Sequence, residues 1–118
     1  MDAKQTLAAA RRSKLQMEAL AERRNRWQEM GRYHSGGGTE ALAQLQRELD
    51  RRIDEAARQE LAAMALIDAL EDAKHREILR YRYLNGWEWK EIAARMGYSP
   101  DWLKHVHAQA VRALGEGN

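Results

Sequence analysis

The chain has no cysteine, no phenylalanine and a single proline, Pro100. Without thiols it can hold neither a disulfide scaffold nor a thiolate metal site. β-Branched residues are sparse beside Ala, Leu, Glu, Arg and Gln. Those five are strong helix formers, so a sheet is not expected and the fold class is all-α. No stretch of 18 apolar residues is present, and the polar opening after Met1-Asp2 lacks the apolar centre of a signal peptide. The expectation is a soluble, cytoplasmic protein with no membrane partner. The run Gly36-Gly37-Gly38 lacks the Lys-Ser/Thr pair that gives a phosphate-binding loop its chemistry. No nucleophile stands beside a recognisable base, so the chain is not expected to be an enzyme. His105 and His107 are two positions apart and project to different helix faces, so neither a metal nor a cofactor is expected.

What is present is charge and helical periodicity. Of 118 residues, 44% are hydrophobic and 32% charged, enough for one compact head with an extended helical appendage. The net charge of +2 is too small to announce nucleic-acid binding, but it is unevenly spread. Residues 1–35 carry +4, residues 36–74 carry −4 and residues 75–118 carry +2.

From Ala3 to Met30 no Pro or Gly interrupts a run of helix formers, and Met17, Leu20, Arg24 and Trp27 recur at helical spacing. That apolar stripe is thin, so the helix must lie against a partner. Residues 31–38 read as a flexible glycine-rich loop. Thr39 suits an N-cap with Glu40 in the first turn. Leu42, Leu45, Leu49, Ile53, Ala57, Leu61, Met64, Ile67 and Leu70 then follow at steps of three or four. Glu48/Arg52 and Glu55/Arg58 fit a solvated outer face. Residues 1–72 therefore read as two long helices, forming either an antiparallel hairpin or an intermolecular coiled coil. The basic first helix and the acidic second one attract each other in both arrangements. The basic residues Arg11, Arg12, Lys14, Arg23, Arg24 and Arg26 read more readily as a solvated face, or as partners of the acidic helix, than as a DNA contact.

In residues 73–118 the rhythm shortens. Lys74–Leu84 reads as one helix stopped at Asn85-Gly86, Glu88–Met96 as a second stopped at Gly97, and Pro100–Leu114 as a third. Ala93 is the small residue needed where two helices cross, and Gly97 suits a turn with positive φ. Ser99 is a good N-cap, Pro100 sits where its missing N–H costs nothing, and Tyr98 can staple onto Leu103. Ile92, Met96, Leu103, Val106, Ala110 and Leu114 point to a core shared with Ile78, Leu79 and Tyr83. These local rules agree on a three-helix head containing a helix-turn-helix.

Residues 67–114 resemble region 4 of sigma-70-type factors, and more closely the small phage regulators of the ArpU and RinA type. Those proteins join an N-terminal helical region to a sigma-like helix-turn-helix. The matching pieces are Arg82-Tyr83-Leu84, Trp89, Ile92-Ala93, Gly97-Tyr98-Ser99, His107 and Ala110. The resemblance implies a phage or prophage transcriptional regulator of late genes in a bacterial host cell, with double-stranded DNA as partner. The recognition helix would start at Pro100. Asp101, Trp102, Lys104, His105 and Gln109 are the candidates for base edges, and Arg80, Arg82, Lys90, Arg95 and Arg112 those for phosphates. Asp101 departs from the basic or polar residues expected after the cap, and its ordinary role is to favour the helix N-terminus.

Among the aromatics, Trp89 falls at a core-facing position, whereas Trp87 and Trp102 are more open and could anchor a partner such as RNA polymerase. Trp27 is expected to pack across the hairpin, and His107 to be packed within the head. The N-terminal helices could also make the protein a homo-oligomer, doubling its contacts on repeated half-sites. Two rival functions remain open on the same residues. One is a polymerase-binding adaptor of the antiterminator or anti-sigma type. The other is a DNA-packaging component of the small-terminase kind.

Overall fold

The computed structural model describes residues 2–31 and 39–116. Among these there are no strands, and the chain runs α1 (Ala3–Gly31), α2 (Thr39–Asp68), α3 (Ala73–Leu79), a π-helical turn (Arg80–Leu84), α4 (Trp89–Met96) and α5 (Pro100–Glu116). Of the expected loop at 31–38, Gly31 belongs to the end of α1, and residues 32–38 lie outside the described residues, as does the side chain of Thr39. No described helix is long and apolar enough to cross a membrane.

α1 and α2 pack on each other antiparallel within one chain. Arg24 donates to Gln46 at 3.0 Å and Arg52 donates to Gln16 at 2.9 Å, while Leu7 shares a cluster with Ala63 and Ile67. The structure buries Leu49, Ile67 and Leu70 of the expected stripe but turns Ile53, Ala57, Leu61 and Met64 outward. Leu49, Ala56, Ala63 and Leu70 are buried at heptad spacing together with Ile67, whereas Ile53, Leu61 and Met64 are 45%, 66% and 37% exposed. The reason is geometric. Each step of four residues advances the side chain about 40° beyond a full turn, so Leu49-Ile53-Ala57-Leu61 walks around the helix. A step of seven drifts by only about 20° and stays on one face. Alanine at 56 and 63 lets the helices approach closely, a contribution that a reading weighted towards large side chains overlooks.

The two helices also reach into the head. One continuous core holds Leu7 and Ala10 of α1, Ala63 and Ile67 of α2, Leu70 of the link after it, Ile78 and Leu79 of α3, Ile92 of α4 and Val106, Ala110 and Leu114 of α5. The corner between α2 and α3 is tied from both sides. Arg76 donates to the carbonyls of Leu70 and Glu71 at 2.6 and 2.9 Å, bracing the link that follows α2. Asp72 accepts from the Lys74 and His75 amides, capping α3.

The expected single helix 74–84 is two pieces. After Leu79 the backbone widens into a π-helical turn, with the Asn85 amide donating to the Arg80 carbonyl five residues back at 2.9 Å. Tyr83 lies in the core, as its spacing from Leu79 predicts, and Tyr81 lies at its edge, where its ring stacks on Trp87 with centroids 4.6 Å apart. Gly86 then reverses the chain at φ 77, and a Cβ there would lie 3.5 Å from Leu15 of α1.

Candidate nucleic-acid interface

The helix-turn-helix is built from short-range rules that the structure satisfies one by one. Glu91 reaches back to accept from the Glu88 amide at 3.2 Å at the start of α4. Gly97 ends α4 at φ 70 in the left-handed region, and the Tyr98 amide donates to the Ala93 carbonyl at 3.0 Å. Ser99 caps α5, its Oγ accepting from the Trp102 amide at 3.2 Å while its carbonyl accepts from Leu103 at 2.9 Å. Leu103, Val106, Ala110 and Leu114 are buried, so the axial rotation of α5 is fixed and the opposite face is left to solvent.

All the base-edge candidates lie on exposed α5 positions: Asp101, Trp102, Lys104, His105 and Gln109. Trp102 is 51% exposed, its ring tilted against His105 at 4.9 Å, and His105 Nε2 shares a hydrogen bond with the Gln109 amide at 3.3 Å. Asp101 sits in the first turn, where a carboxylate complements the helix N-terminus.

The phosphate candidates divide. Lys90, Arg95 and Arg112 are exposed on α4 and α5. Arg80 pairs with Asp68 at 2.8 Å. Arg82 is held inside the head. It donates to the Trp87 carbonyl at 3.0 Å and its guanidinium lies 4.2 Å above the Trp89 ring. Trp102 is open as expected, but the expected order of Trp87 and Trp89 is reversed. Trp87 is partly buried beneath Tyr81. Trp89 is 37% exposed, with one ring face toward Arg82 and its plane edge-on to His107 at 4.7 Å. Tyr81, whose ring covers Trp87, belongs to the π-helical turn. Trp27 is 40% exposed near the far end of the hairpin, so it is not buried across it.

His107 is partly buried, and its Nε2 shares a 2.8 Å hydrogen bond with the Tyr83 hydroxyl. Burial, reinforced by the positive charges of Arg82 and Lys4, pushes this imidazole down to about 4, so it is neutral at physiological pH. Burial likewise pushes the Tyr83 phenol up.

Two features were not visible in the sequence pattern. Arg11 of α1 donates to the Gly86 carbonyl at 3.3 Å, 75 residues away, and lies 3.4 Å from the Glu88 carboxylate. It thus grips the loop entering the helix-turn-helix, where pairing with the acidic helix was expected. The second is a hollow between α4 and α5 that brings Lys90 and Lys104 to one place. No local signal reports a site formed where two helices cross.

The model of the family Sigma-70, region 4 matches residues 67–116. Neither a curated protein nor a solved structure matches the chain. The matched span begins at the last two residues of α2 and takes in α3, α4 and α5, the elements that carry the turn at Gly97 and the cap at Ser99. The C-terminal unit is thus a sigma-70 region 4-like helix-turn-helix, a likeness that points to DNA binding and regulation.

Proposed function

We propose that this chain is a phage or prophage transcriptional regulator that reads duplex DNA with α5 and acts on late genes. The observation that carries the reading is the setting of α5. Its apolar stripe is locked into the core, and Lys104 and His105 stand exposed one turn beyond the Ser99 cap. Lys90, Arg95 and Arg112 supply further exposed cations for the backbone. The phage and late-gene parts rest on the resemblance to small regulators that also join a helical N-terminal region to a sigma-like head. Exposed Ile53, Leu61 and Met64 on α2 support a role for the hairpin in self-association or in contact with RNA polymerase.

The test is selection of the full chain against random duplex DNA at two salt concentrations, repeated with the Lys104→Ala, His105→Ala double variant. Operator reading predicts an enriched motif that relaxes in the variant, with affinity falling steeply as salt rises. Absence of enrichment at both salts refutes it. Capture of RNA polymerase by the same protein would then favour the adaptor reading.

A further inference from the structure

Lys90 and Lys104 stand beside the hollow that the helix-turn-helix leaves between its two helices. The hollow encloses about 390 Å³, and its apolar walls are Trp89 and Ala93 from α4 with Pro100 and Leu103 from α5. His107 also lines it and is neutral, so the two lysines are the charges on its surface.

In a helix-turn-helix the early positions of the second helix meet base edges while the first helix crosses the backbone. A cleft bounded by Pro100 and Lys104 on one side and Trp89 and Lys90 on the other therefore opens where the major-groove edge and the adjoining strand would lie. Chemistry then limits what can enter. Apart from flat ring C–H groups, the major-groove edges of guanine, cytosine and adenine offer donors and acceptors, which would lose water against these walls without a partner in exchange. The one alkyl group on any major-groove edge is the C5 methyl of thymine. We infer that the hollow seats thymine methyls of the bound duplex, with Lys90 on the flanking backbone and Lys104 beside the neighbouring base edge. This inference rests on the DNA-reading proposal and adds the base feature to which α4 and α5 jointly respond.

The test uses the full chain and a duplex recovered by selection. Each thymine is replaced in turn by deoxyuridine, which removes the methyl and nothing else. At one or more positions affinity should fall about fourfold, the equivalent of about 0.8 kcal/mol for one buried methyl. Trp89→Ala and Pro100→Ala should bring the thymine-to-uracil ratio at those positions towards one. Lys104→Gln should weaken both duplexes and keep the ratio. Alanine is at home at the first helical position, so Pro100→Ala carries the test if Trp89→Ala does not fold. A wild-type ratio of one at every thymine overturns the inference while leaving DNA reading intact. So does a ratio that persists in the hollow variants, since the methyl is then read elsewhere. Recovery of no site at all overturns the DNA-reading proposal and this inference with it.

Discussion

Replacing Leu7 by alanine tests how far the head depends on the first helix. Leu7 is 0% exposed and lies in one cluster with Ile67, Ile78, Tyr83 and Val106, although it is more than fifty positions from each of them in sequence. Truncation removes a buried isobutyl group and leaves a void that Ala10 and Ala63, in the same cluster, have no side-chain freedom to fill. Leucine-to-alanine changes at such sites cost about 2–5 kcal/mol, and about 3 kcal/mol is expected here. With an unfolding entropy of roughly 2.1 cal/mol/K per residue, a chain of this length should lose about 12 °C in Tm. The assay is urea and thermal unfolding followed by far-ultraviolet circular dichroism, which weights the long α1 and α2. Tryptophan fluorescence is followed in parallel, weighted to Trp87, Trp89 and Trp102 of the head. Both signals should move together in one transition. A loss below about 1 kcal/mol would refute the reasoning, and so would a helical signal that shifts while the tryptophan transition stays in place.

Leu61→Ala, at a position 66% exposed on the same helix pair, should change monomer stability by less than about 0.5 kcal/mol. A larger loss that scales with protein concentration in sedimentation would show that a second copy covers it. Gly97→Ala adds a Cβ that meets nothing within 4 Å but must sit at φ 70, so backbone strain alone should cost about 1 kcal/mol in a thermal melt. No measurable change would show that the turn relaxes out of the left-handed region. His107 titrates near 6.5 in the unfolded chain and at about 4 in the folded one. Between those values the unfolded state binds the extra proton, so stability should fall on acidification by about 1.4 kcal/mol per pH unit. His107→Gln should remove that component of the acid slope, and parallel stability profiles for the two proteins between pH 7 and pH 4.5 would contradict it.

How much was legible in the sequence follows from the range of the forces involved. Ala93, Gly97, Ser99, Pro100 and Leu103 lie within eleven consecutive positions, and each acts on backbone a few residues away, so the turn, the cap and the buried stripe of α5 could be read directly. The exposure of Lys104, His105 and Trp102 follows from that stripe. Errors arose where tertiary packing decides. On α2 the close approach of α1 selected Ala56 and Ala63 over Ile53 and Leu61. The π-helical turn left no mark in the periodicity, and neither did the stacking of its Tyr81 on Trp87, which covers Trp87 while Trp89 stays half-open. Arg80 and Arg82 also have partners in the fold that their sequence spacing did not announce, Asp68 and the Trp87 carbonyl, and Arg80 stays exposed beside its partner.

Arg11 shows why a count of charge along the chain misplaces partners. A basic first segment beside an acidic second one predicts attraction along the hairpin. The antiparallel register instead carries the start of α1 past the acidic helix to the end where the head begins. There Arg11 meets the Gly86 carbonyl and the carboxylate of Glu88, and Lys14 and Leu15 approach Gly86 itself. The backbone amide of Glu88 is held by Glu91 at the first turn of α4. The register of the hairpin and the placement of the first helix of the helix-turn-helix are thus linked through one guanidinium and one capped turn. A partner that shifted α1 along α2 would have to break the Arg11 contacts first. The head is therefore positioned by the hairpin, not merely tethered to it.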